Sequence, residues 1–186
     1  ADHFGGVLGV TVELGHFNVP NFDGWVKTSE FTAHVRTNAL GLRGPAREYA
    51  KPAATRRILV LGDSFTEAAQ VAESESLVGR LEASLNQGDG VRYDVLNGGV
   101  GGWGTGQQLL FLQHEGLRYE PDLVVVMLYL GNDIFDNSWA LQGRPSNPKE
   151  PYFVVGSDGA LTQMPFRPRK PEETAPGVEA LRRQSV

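Results

Sequence analysis

The sequence predicts an α/β protein whose doubly wound parallel sheet follows a small N-terminal β appendage. Three observations carry this reading. Ile58-Leu59-Val60-Leu61 and the run over 123–130 are continuous apolar stretches, the pattern of strands covered on both faces rather than one. Residues 93–96 read as a third strand. The two stretches between these strands place their apolar residues at helical spacing, and strand-helix alternation implies right-handed crossovers and a parallel sheet.

Taken in order, the first fifty residues read as strands and turns. Phe31, Ala33 and Val35 alternate with Thr32, His34 and Arg36, and residues 7–14 are a second strand candidate. Residues 38–45 interrupt any regular element, and residues 51–55 form a connector. The first core strand ends at Gly62. Residues 74–87 carry Leu77, Val78, Leu81 and Leu85 on one helical face, with Gly88 placed as a C-terminal cap. A second helix is expected over 105–117, from Leu109, Leu110, Gln113 and Leu117, with Gly116 near its end. The run at 123–130, introduced by Pro121-Asp122, is the strongest strand signal and is assigned to the centre of the sheet. Beyond it the pattern decays. Pro145, Pro148 and Pro151 precede a hairpin of residues 152–155 and Leu161 around Ser157-Asp158-Gly159. A proline-punctuated polar tail follows from Pro165, and 178–186 reads as the start of a further element. The chain thus divides into residues 1–55 (appendage and connector), 56–140 (α/β core) and 141–186 (hairpin and tail).

A net charge of -5 and a pI near 5.4 argue against nucleic-acid binding, which needs clustered basic side chains. The densest basic stretch, Arg167, Arg169 and Lys170, lies among prolines ahead of Glu172 and Glu173 and reads as a solvated linker. With no cysteine there is no disulfide framework and no thiolate nucleophile or metal ligand. No apolar run approaches the ~18 residues of a membrane span. The first residue is Ala1, and a removed leader would favour an extracytoplasmic location. No cofactor is expected. Residues 98–106 lack the spacing of a dinucleotide or P-loop turn, and Asp63, Asp133 and Asp136 read as caps at loop starts rather than metal ligands.

In an open parallel sheet, ligands bind beyond the carboxyl ends of the strands. The three strands end in Gly62-Asp63-Ser64-Phe65-Thr66, in a glycine-rich run from Asn97 to Gly104, and in Gly131-Asn132-Asp133, so these loops are expected to be neighbours. A hydroxyl, glycine backbone N–H groups and a carboxamide are the parts of an acyl-transfer site: a nucleophile and donors for an oxyanion. A plainer reading competes, since Ser64-Phe65-Thr66-Glu67 fits a capping box in which the serine only satisfies helix donors. Asn97 reads as a turn residue, and Trp103 as either a substrate wall or a packed core aromatic.

Gly-Asp-Ser at Gly62 to Ser64, the glycine of the second loop and Gly-Asn-Asp at Gly131 to Asp133 resemble the first three blocks of the SGNH (GDSL-type) hydrolases, over roughly residues 56–137. The resemblance implies a flavodoxin-like sheet, incomplete in this chain. It implies Ser64 as nucleophile, with Gly102 and Asn132 as oxyanion donors. Gly102 lies five residues after Asn97, the family spacing, with Gly101 its close rival. The substrate it implies is a carboxylic ester, small-molecule or an O-acyl group on a glycan; an O-acyltransferase and a non-catalytic carbohydrate-binding module are the alternatives. The family's Asp-x-x-His block has no counterpart: none of His3, His16, His34 and His114 has an Asp three residues before it. The expectation is therefore a complementing C-terminal segment that brings the base, with His114 solvated and His16 and His34 reaching the site only if the appendage folds over it.

Overall fold

The computed structural model describes residues 8–11, 14–88, 90–137 and 151–164. The tail from Pro165, the stretch 178–186, the basic residues at 167–170 and His3 lie outside them. Two antiparallel hairpins come first, β1 (Leu8–Thr11) with β2 (Gly15–Asn18) and β3 (Asp23–Lys27) with β4 (Thr32–Arg36). Alternation in β4 buries Ala33 and Val35 and exposes Thr32, His34 and Arg36. The segment after it is irregular but fixed. Asn38 Oδ1 accepts the N–H groups of Leu40 and Leu42, and Arg43 forms isolated bridges to both Thr37 and Asn97.

The core follows as β5 (Thr55–Gly62), α1 (Ser64–Glu67), a 3-10 turn at Glu73–Glu75, α2 (Leu77–Leu85), β6 (Arg92–Gly99), α3 (Thr105–His114), a second 3-10 turn at Gly116–Tyr119, β7 (Leu123–Val126) and α4 (Asp133–Asp136). A hairpin of β8 (Tyr152–Val155) and β9 (Leu161–Met164) comes last. The sheet order is β6-β5-β7, all parallel, with Ile58 opposite Val95 and Leu123. Side chains along β5 alternate between two apolar layers. Ile58 and Val60 join Val95, Val78, Leu81 and Leu85 beneath α2, while Leu59 and Leu61 join Leu96, Trp103, Phe111 and Tyr119 beneath α3. Helices thus cover the two faces of a mixed α/β core. No helix among the described residues is long and apolar enough to cross a membrane.

Several expectations are corrected. Among the described residues the run at 123–130 does not form the central strand: β5 is central, β7 lies at one side, and the strand stops at Val126. A continuous apolar run reports burial of faces, whereas the order of strands is set by hydrogen-bonded pairing. Even that burial is incomplete here, since Leu123 and Val126 are each 53% exposed and Leu128 and Leu130 are exposed as well. The helix expected from Ser74 begins at Leu77, because Ser76 takes the cap and accepts the Gly79 N–H; it ends at Leu85 with Asn86, not Gly88, as its C-cap. The helix expected to Leu117 stops at His114. The strand expected at 93–96 runs on to Gly99, so Asn97 is a buried strand residue and not part of a turn.

One buried charge pair ties these pieces together. Arg57 on β5 lies in register with Asp94 on β6, and its Nε and Nη2 are 2.9 and 2.8 Å from Asp94 Oδ2. Its Nη1 donates to the carbonyls of Tyr49 and Tyr119, so each of the three nitrogens of a guanidinium that is 1% exposed has an acceptor. Arg47 Nε lies 2.6 Å from the other carboxylate oxygen. Removing one member of such a pair strands the other charge in the interior. Asp94→Asn is therefore expected to lower unfolding free energy by about 3–5 kcal/mol in urea titration, and Arg57→Met combined with Asp94→Leu should cost less than the two single changes together.

Candidate active site at the strand ends

Gly62 and Gly99 are opposite one another at the ends of β5 and β6, and α1 sits directly on them. A Cβ on Gly99 would lie 2.3 Å from the Glu67 nitrogen, and one on Gly62 would lie 2.0 Å from Thr66 Oγ1. Asn97 fastens the same contact, its Nδ2 donating to the Thr66 carbonyl at 3.0 Å. The cap of α1 is Asp63, whose side chain accepts the Phe65 N–H at 2.9 Å. This corrects the capping-box reading. Ser64 is the first helical residue, exposed, and its hydroxyl has no hydrogen-bond partner among the described residues. Glu67 does not reach back along its own helix; its Oε2 crosses to the second loop and accepts the Gly101 N–H at 2.8 Å. Below α1, the buried Arg43 guanidinium donates to the carbonyls of Glu67, Ala68 and Val71, which closes a helix only four residues long.

Between α1 and the β3–β4 turn lies a cleft of about 650 Å³. Ser64, Phe65, Glu67 and Gln70 form one wall, Gly101 and Gly102 the second, and Thr28 to Phe31 the third. A Cβ on Gly101 would lie 3.8 Å from Ser64 Cβ, so the loop runs beside the serine. Gly102 has φ +80°, a conformation that disfavours any side chain, and its N–H has no partner among the described residues. Trp103 is fully buried against Phe17 and Phe111, which settles it as a core aromatic and not a substrate wall.

The third loop adjoins this cleft without lining it. Tyr129 packs on Phe65 with ring centroids 4.5 Å apart, and the Asp133 carboxylate accepts the Tyr129 N–H at 2.6 Å. Asn132 precedes α4, but its Nδ2 donates to Asp136 at 2.7 Å rather than toward Ser64. Asp63 Oδ2, Thr66 Oγ1 and Asp133 Oδ1 are buried without a partner. Burial, and then the nearby Asp63 and Asp136, push the Asp133 carboxyl above its usual range, against the pull of the Tyr129 N–H. No cluster of three metal-ligating side chains occurs among the described residues.

Of the histidines, His34 pairs with Asp23 at 2.7 Å and His114 is exposed at the end of α3. His16 behaves differently: the appendage does fold over the site, and His16 Nε2 lies 2.9 Å from the Gly101 carbonyl oxygen. His16 was expected at the site only if the appendage folded over it, which it does; sequence reasoning missed Glu67 as a cleft residue, the turn at 28–31 and Arg43. Glu67 had a usable signal, since a position three residues after Ser64 falls on the same side of a helix. No family model matches the chain, and no curated protein is significantly similar to it.

Burial raises the Glu67 carboxyl from 4.5 to about 7, opposed by the Gly101 N–H and Arg43 and reinforced by Asp63. The folded state therefore holds this proton more tightly than the unfolded chain does. Its contribution to stability is present below pH 4.5 and is lost as pH rises through about 7. Glu67→Gln removes the titration. Its unfolding free energy relative to the native chain is expected to rise by about 3 kcal/mol between pH 4.5 and 7.5 and then level off, as read by urea unfolding at a series of pH values.

Proposed function

We propose that this protein is an SGNH-type serine hydrolase that cleaves carboxylic esters through an acyl-Ser64 intermediate. The observation that carries the reading is the division of labour at α1: Asp63 does the capping, leaving the Ser64 hydroxyl uncommitted in a cleft beside the unspent N–H of Gly102. The strand order β6-β5-β7 is second-first-third in sequence, the order with which a flavodoxin-like sheet begins, and this supports the family reading.

In this reading Ser64 Oγ attacks the ester carbonyl carbon and gives its proton to a general base. The carbonyl electron pair moves to oxygen, which accepts hydrogen bonds from the Ser64 and Gly102 N–H groups and from Asn132 once its carboxamide turns from Asp136. Collapse expels the alcohol, which takes the proton back, and water then releases the acid from Ser64. The base is an imidazole brought by a complementing segment. His16 Nε2 is already committed as a donor to a carbonyl and cannot accept a proton there. Among the described residues the cleft wall carries Glu30 and Glu67, the Thr28 and Ser29 hydroxyls, the Gln70 amide and the rings of Phe31 and Phe65, and no lysine or arginine. Such a lining suits a neutral hydroxylated ester, such as an O-acylated carbohydrate, over an anionic one.

A fluorophosphonate probe is expected to label Ser64, and Ser64→Ala should abolish both labelling and ester turnover; labelling that persists overturns the assignment. Asn132→Ala is expected to lower turnover about 100- to 1,000-fold with little change in the Michaelis constant, measured in steady-state kinetics on an active preparation. A change confined to the Michaelis constant would move Asn132 to substrate binding.

A further inference from the structure

Two successive peptide planes in the glycine loop are held from outside the loop. The Val100–Gly101 peptide offers its N–H to Glu67 Oε2 at 2.8 Å, and the Gly101–Gly102 peptide offers its C=O to His16 Nε2 at 2.9 Å. No cis peptide bond occurs in the described chain, and in a trans peptide the C=O and the following N–H point in opposite directions. A carbonyl that faces His16 therefore turns the Gly102 N–H away from His16. Glycines have little conformational preference of their own, so the orientation of this donor must be imposed by neighbours.

His16 is well placed to impose it. Its backbone carbonyl accepts the Trp103 indole N–H at 3.0 Å, the adjacent Phe17 ring stacks on Trp103 and Phe111, and the Leu14 carbonyl accepts from Gln107 at 2.8 Å. The hairpin that carries His16 is thus anchored on α3 and the loop before it. Since a carbonyl only accepts, Nε2 must carry the proton in this contact. Glu67 is equally fixed, 3% exposed, on the helix that starts at Ser64.

We propose that Glu67 and His16 are positioning residues that together set the direction of the Gly102 N–H, with the ionised Glu67 carboxylate holding the loop and its protonation loosening it. The role of Gly102 as an oxyanion donor rests on the ester-hydrolase reading; the clamp itself does not. Ionised acceptors form hydrogen bonds roughly twice as strong as neutral ones, so one proton on Glu67 weakens the grip on Gly101. The charged groups around Glu67 come from every side: Asp63 from the turn before α1, Arg43 from the segment after β4 with Glu73 beyond it, Glu30 across the cleft from the β3–β4 turn, and His16 on the far side of Gly101. Burial dominates this balance and places the titration near pH 7, where the loop would pass from loosely to firmly held as pH rises.

The test is a proton-nitrogen correlation NMR titration of the full chain from pH 5.5 to 8.5, which does not depend on any reaction at Ser64. The Gly101 amide is expected to follow a single titration with a midpoint near 7 and to move downfield as Glu67 ionises. In Glu67→Gln that titration should vanish while the amides of Leu59 and Val95 keep their positions. His16→Ala should shift the Gly102 amide and speed its hydrogen exchange, and His16→Gln, whose amide nitrogen can donate to the same carbonyl, should restore both. A wild-type Gly101 amide that does not titrate in this range overturns the proposal, and so does one whose titration survives in Glu67→Gln. Absence of fluorophosphonate labelling alongside a normal Gly101 titration would instead overturn the hydrolase reading and leave the clamp standing.

Discussion

The structure turns on a backbone contact that only missing side chains permit. At the ends of β5 and β6 the paired glycines Gly62 and Gly99 let α1 rest on the strands themselves, with the Glu67 nitrogen where a Cβ of residue 99 would be. That closeness fixes where Ser64 emerges, brings Gly101 alongside it and leaves Glu67 in reach of the second loop. A methyl group at either glycine would push α1 outward, and the cleft is built on its position. The helix is too short to stand by itself, so it borrows its ends: Asp63 satisfies the first turn and Arg43 gathers the carbonyls of the last.

Two buried arginines perform similar work at opposite ends of the sheet. Arg57, at the amino ends of the strands, joins β5 to β6 through Asp94 and to the flanking segments through the Tyr49 and Tyr119 carbonyls. Arg43, at the carboxyl ends, has carbonyl acceptors and no side-chain ion pair among the described residues, and its burial draws its pKa down despite Glu67 and Glu73. One arginine thus fixes strands against each other, and the other fixes the helix that carries the candidate nucleophile.

The sequence revealed what local pattern encodes. β5 was legible because Ile58 to Leu61 must fill two apolar layers at once, and β4 because Ala33 and Val35 share one buried side. The place of β7 at one side of the sheet among the described residues was not, since Leu123 to Val126 have the same composition whichever neighbour they pair with. Ser64 and Asp63 are both able to cap a helix, and only the backbone geometry assigns that work to Asp63. His16 had no local signal at all. Its approach to Gly101 depends on Phe17 stacking against Trp103 and Phe111, a packing event between segments far apart in the chain. Within the third loop, nothing in the local pattern around Asn132 shows that Asp136 is the acceptor that takes its side chain.

Among the described residues the outer side of β7 has no strand beside it, and a species bound there would be linked to folding. Leu123 and Val126, with Met127, Leu128 and Leu130 beyond them, present apolar surface at a strand whose only sheet partner among the described residues is β5. Any species that binds this edge in the folded molecule and ignores the unfolded chain adds to stability by mass action, about 2.7 kcal/mol at a hundredfold excess over its dissociation constant. The melting temperature would then depend on the concentration of that species.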